Sequence, residues 1–111
     1  MNIKVNQSEA TIMRIISETI RKQAADKKLQ EITITAVKLS GDMSHAKVFY
    51  TAMNRNNLPK IEEALTKATG FFRSEVAHSL NAKHAPELKF CYDTSIEYGE
   101  KIEEVLKSLN N

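Results

Sequence analysis

Ile32-Thr33-Ile34-Thr35-Ala36 alternates apolar and polar residues and is rich in β-branched side chains, the pattern of a strand with one buried face. Ser40-Gly41-Asp42-Met43-Ser44 follows with turn chemistry, and Ala46, Val48 and Tyr50 then alternate again. The spacing predicts a β-hairpin with strands near 32–40 and 45–52. Its apolar phase changes at Val37 and Leu39, so either both faces are covered there or a bulge intervenes.

Upstream, Ile12, Ile15, Ile16 and Ile20 recur at helical spacing with Lys and Arg on the other faces. Ser8 is a candidate N-cap and Glu9 suits the positive end of the helix dipole, which predicts a helix over 9–25 behind a loose leader, 1–7. Downstream, the polar loop Asn54-Arg55-Asn56-Asn57 leads to Pro59 at a helix start. Ile61, Ala64, Leu65 and Ala68 share a face. Gly70 interrupts the pattern, which resumes at Phe72, Val76 and Leu80, so a kink or helix-to-helix corner is expected at Ala68-Thr69-Gly70. Leu88, Phe90 and Tyr92 alternate after Pro86 as a third strand. Ile102, Val105, Leu106 and Leu109 mark a last helix, with Gly99 near its start. The order α-β-β-α-kink-α-β-α predicts an α+β domain over residues 8–109, with helices on one side of a three-stranded sheet and residues 110–111 as a tail.

The chain has 111 residues, 41% of them hydrophobic, enough for one core and too few for two. No apolar run is long enough to span a bilayer, and the start has no secretory h-region, so a cytoplasmic protein is expected and the sequon Asn6-Gln7-Ser8 has no consequence. The single cysteine, Cys91, cannot form an internal disulfide. With His45, His78 and His84 it gives no metal-ligand spacing, so neither metal nor cofactor is expected.

Enzymatic chemistry finds little support. There is no strained G-x-S-x-G turn to present a nucleophile, and no glycine-rich cradle for nucleotide phosphates. Cys91, between Phe90 and Tyr92 on a strand, reads as a structural thiol. Glu103 and Glu104 are adjacent, so they point to different helix faces and cannot work as an acid/base pair.

Charge is more informative. The net charge is only +2, yet residues 1–92 carry +5 and residues 93–111 carry −3. Lys60 and Lys67 lie seven apart on nearly one helix face, Arg73 follows the expected kink, and Lys83 and His84 come after the second segment. An exposed corner near Gly70, Phe71 and Phe72 would offer free N–H groups beside these cations, a phosphate-binding arrangement. An ordinary solvated basic face accounts for the same residues.

Four ordered segments resemble one family. Gly41-Asp42-Met43-Ser44-His45-Ala46-Lys47-Val48-Phe49 resembles the D-L-x-x-A-K-V hairpin of ribosome-binding factor A, and Ala64–Ser74 its helix-kink-helix with Ala68-Thr69-Gly70 as the Ala-x-Gly element. His84-Ala85-Pro86-Glu87-Leu88-Lys89-Phe90 and Asp93-Thr94-Ser95-Ile96-Glu97-Tyr98-Gly99 resemble its x-x-P-E-L-x-F and D-x-S-x-x-x-G elements. The resemblance implies a K-homology-like fold of type II. It also implies a non-catalytic bacterial assembly factor that binds the immature 30S ribosomal subunit, contacts 16S rRNA near the decoding region, and promotes late maturation and rRNA processing, with importance in the cold. On that reading Lys60, Lys67, Arg73, Lys83 and His84 contact RNA phosphates, and a monomer is expected. Ala-x-Gly stands where ordinary K-homology domains carry the G-x-x-G clamp. The sequence departs from the family in having only Lys4 as a cation before Ser8, Lys83 where arginine is typical, and an acidic final helix in place of a basic extension. The alternatives are a general single-stranded RNA module, a small enzyme using Cys91 or His84, and a protein-docking module using the acidic last helix.

Overall fold

Val5, Ile12, Ile15, Ile16 and Ile20 form one buried stripe along α1 (Ile3–Lys22) in the computed structural model, which describes residues 3–22, 27–80 and 85–109, with 3, 4 and 96–101 described by their backbone alone. The helix begins upstream of the expected cap, and Ser8 lies inside it. The reason is Val5, which sits two turns before Ile12 on the same stripe and extends the buried face into the expected leader. Glu9 is likewise not a dipole partner. Its carboxylate accepts the Leu39 N–H at 2.7 Å and ties α1 to the end of the first strand.

The sheet holds β1 (Ile32–Leu39), β2 (His45–Ala52) and β3 (Glu87–Tyr92) in the order β1-β2-β3. β1 and β2 pair antiparallel, and β2 and β3 pair parallel. The change of apolar phase in β1 is a bulge. Ile34 faces Tyr50 and Ala36 faces Phe49, which leaves Thr35 as the extra residue. The insertion resets the parity, so Val37 and Leu39 point to the same side as Ile32 and Ile34. The Thr35 hydroxyl donates to the Asp93 carboxylate at 2.6 Å, beyond the end of β3.

The hairpin turn is organised by Asp42. Its carboxylate accepts from the Ser40 hydroxyl, the Ser44 hydroxyl and the Ser44 amide at 2.7, 2.7 and 3.1 Å. Those donors hold its pKa down at about 2. The left-handed position of the turn falls on Met43, at φ 63°, rather than on Gly41.

Parallel pairing of β2 and β3 requires a long crossover, and α2 (Leu58–Ser79) supplies it. Pro59 sits in its first turn as expected. No corner between two helices forms: α2 runs through Ala68, Thr69 and Gly70 as a single 22-residue helix. Ile61, Leu65, Phe72 and Val76 keep one helical phase across Gly70, so burial of that stripe carries the helix over its weakest residue. The free N–H groups expected at a corner are therefore not presented there.

α1 and α2 cover one face of the sheet, and Tyr50, Phe72, Ile12, Ile16 and Ile61 are fully buried between them. Tyr50 meets Tyr92 edge-on at 5.9 Å, and Phe72 packs on Phe90 at 5.5 Å. The last helix, α3 (Ser95–Leu109), forms where expected but does not bury its apolar positions. Ile102, Val105, Leu106 and Leu109 are 41 to 75% exposed and stand outside the core.

Two outcomes follow from this geometry. A Cβ at Gly70 would meet nothing within 4 Å and φ there is not positive. Gly70→Ala is therefore expected to raise stability by about 0.5–1 kcal/mol in urea denaturation, and a loss would restore a glycine-only backbone at this point. The Asp42 carboxyl should titrate by NMR near pH 2 rather than near 3.8. Because its folded-state pKa is depressed, the stability it contributes is present above pH 4 and is lost as pH falls from about 4 through 2.

Candidate nucleic-acid interface

Lys60 and Lys67 are both exposed on α2 and project roughly 20° apart around the helix axis. Lys67 pairs with Glu63 one turn earlier at 3.1 Å, an exposed contact whose hydrogen bond and charge lower the Glu63 pKa. Such a pair is weak and opens readily for a stronger anion. Arg73 lies roughly 120° round the helix from Lys67, on the flank facing β3. Its Nε and Nη2 donate to the carbonyls of Pro86 and Ala85 at 3.3 and 3.4 Å. Arg73 thus ties the crossover helix to the entrance of β3, and its remaining N–H groups stay available to an anion. Lys83 and His84 lie outside the described residues. An unbroken helix therefore keeps Lys60 and Lys67 together and turns Arg73 away from them.

Residues of β2, α2 and β3 flank an open groove of about 470 Å³ lined by Tyr50, Glu62, Leu65, Leu88, Lys89 and Phe90, among others. Burial, with Glu62 nearby, pushes the Tyr50 phenol above its ordinary pKa. Glu62 and Lys89 are the charged residues in a groove whose other lining residues are apolar or hydroxylic. Among the described residues no three His, Cys, Asp or Glu side chains gather to hold a metal ion. Cys91 is half-buried, with its Sγ 3.9 Å from the Lys89 carbonyl oxygen.

The strands carry cations that the sequence reading passed over. Lys38 is paired with Lys47 across β1 and β2, and Lys47 with Lys89 across β2 and β3. All three are exposed on the face of the sheet opposite α1 and α2. Each occupies a polar position of an alternating strand, and that much was visible. Their alignment depends on the bulge and on the parallel register, which no single strand reveals.

The geometry describes a small α+β domain of two helices on a mixed sheet, with basic side chains displayed on α2 and on the bare sheet face. Its counterparts among known proteins are ribosome-binding factors. The family model for ribosome-binding factor A matches residues 4–106. Curated proteins of that name are 40% identical over 104 residues in Francisella tularensis subsp. novicida, covering 94% of this chain and 73% of that one, and 38% identical over 110 residues in Streptococcus sanguinis, covering 97% and 95%. Among solved structures, ribosome-binding factor A from Thermus thermophilus superposes with a TM-score of 0.69 at 26% identity, over 79% of this chain and 94% of that one. A putative ribosome-binding factor A from Thermotoga maritima gives 0.72 at 29%, over 87% and 95%. The chain belongs to the ribosome-binding factor A family.

The two kinds of cation on α2 are separable by stability. Arg73→Ala should cost about 1–2 kcal/mol, since it leaves two backbone carbonyls at the β3 entrance without their charged donor. Lys60→Ala should stay within about 0.5 kcal/mol of the parent. Equal and negligible losses in chemical denaturation would refute the tether.

Proposed function

We propose that this protein binds the free, immature 30S ribosomal subunit, contacts its 16S rRNA, and promotes late maturation and processing of that rRNA without catalysing a reaction itself, with importance in the cold. The observation that carries the reading is family membership over nearly the whole chain. A further structural relative, at TM-score 0.63 and 25% identity over 78% of this chain and 91% of that one, is a Thermus thermophilus ribosome-binding factor A fitted into an electron cryo-microscopy map of its complex with the 30S subunit. In this chain Lys60, Lys67, Arg73, Lys83 and His84 engage rRNA phosphates, and the protein works as a cytoplasmic monomer. The exposed cations of α2 support the electrostatic part of that reading.

An interface built on lysine and phosphate has a defined salt dependence. Sedimentation with immature small subunits should weaken linearly in a log–log plot against salt, and each phosphate contact removed should reduce the slope by about 0.7–0.9. Lys60→Ala with Lys67→Ala should therefore lower it by about 1.4–1.8. Failure of the parent protein to sediment with subunits at low salt would refute the proposal.

A further inference from the structure

Neighbouring strands stand about 4.7–4.9 Å apart, so the row Lys38–Lys47–Lys89 holds three ammonium-bearing side chains side by side across the whole sheet. Like charges directly opposite one another destabilise a sheet. Among the described residues none of the three makes an ion pair or side-chain hydrogen bond that would offset this. Lysines on the edge strands β1 and β3 can be understood as protection against edge-to-edge association. Lys47 cannot, because β2 is the central strand.

The next row on the same face is Ala36–Phe49–Cys91. Phe49 is half-buried, and the residues directly opposite it, Ala36 and Cys91, are both small. On the other side of the lysines, His45 and Glu87 pair with each other at 3.3 Å. Asp93, beyond the end of β3, is occupied by Thr35 and by the Ser95 amide. Among the described residues Glu87 and Asp93, at the two ends of this face, are thus engaged, while the three lysines are not.

We propose that the bare face of the sheet is a second RNA-binding surface, in which Lys38, Lys47 and Lys89 hold consecutive phosphates of an unpaired strand and Phe49 stacks on one of its bases. The inference rests on the ribosomal reading for the identity of the RNA, and on geometry for the site. A cationic row beside an aromatic platform suits single-stranded nucleic acid, because phosphates need the charge and every base has a π-face to stack. An acidic peptide would use the lysines and leave the ring without a role.

The test uses the full chain and a fluorescent, unstructured RNA of about twelve nucleotides, followed by anisotropy over a salt series, beside sedimentation with small ribosomal subunits. The triple variant Lys38→Gln, Lys47→Gln, Lys89→Gln is expected to melt no lower than the parent, since it removes repulsion, and to reduce the log–log salt slope by about 2. Phe49→Leu keeps the apolar bulk and is expected to weaken RNA binding roughly 5- to 150-fold with the slope unchanged. Unchanged RNA affinity and slope in the triple variant would overturn the sheet-face site, and continued sedimentation with subunits would then leave the ribosomal reading standing without it. RNA binding that responds to these variants in a protein that ignores subunits would support the site and defeat the ribosomal reading. Polyglutamate that displaces the RNA and binds Phe49→Leu as tightly as the parent would assign the face to an acidic protein and overturn the proposal.

Discussion

A single inserted residue, Thr35, governs which side of the sheet is apolar. Side chains along a strand alternate, so the same residues paired without a bulge at Thr35 would turn Val37 and Leu39 to solvent and Ala36 and Lys38 toward the helices. The bulge puts Ile32, Ile34, Val37 and Leu39 on one surface, where α1 and α2 bury them. It also brings Lys38 level with Lys47 and, through β2, with Lys89. The hydrophobic core and the cationic row are two results of the same register, and neither survives its slippage by one residue. Thr35 is not idle at this position, since its hydroxyl is held by Asp93 on the far side of the sheet.

The second constraint is the parallel pairing of β2 with β3. It obliges the chain to cross the sheet, and α2 does so with its buried stripe against the core. Arg73 then grips the backbone at Ala85 and Pro86 just as the chain enters β3. A cation that reads as a phosphate ligand when viewed along the sequence is also part of the joint that closes the fold.

Much of the fold is legible in the sequence because apolar periodicity is a local property. The hairpin, Pro59 at the start of α2 and the third strand around Leu88 and Phe90 all stand where alternation and turn chemistry put them. The ends of elements were less legible. Val5 lies two turns from Ile12, so a stripe counted from the isoleucines starts too late. Gly70 looks like punctuation, but Ile61, Leu65, Phe72 and Val76 keep a common phase across it, and burial outweighs a propensity cost of about 1 kcal/mol. The apolar stripe of α3 was visible as well. Whether other elements cover it is a matter of tertiary placement, which periodicity does not contain. For the candidate interface the limit is similar: the charge of each lysine is written in the sequence, whereas its neighbours belong to the pairing.

An unbroken α2 has a mechanical meaning. At 1.5 Å per residue its 22 residues make a rod about 33 Å long. Two segments meeting at a corner could open or close around a ligand by changing the angle between them. A single helix has no such corner, and Lys60 and Lys67, both ahead of Gly70, stand about 10 Å apart along its axis. The helix acts as a ruler for whatever charges it meets, and accommodation falls to the long lysine side chains or to the partner.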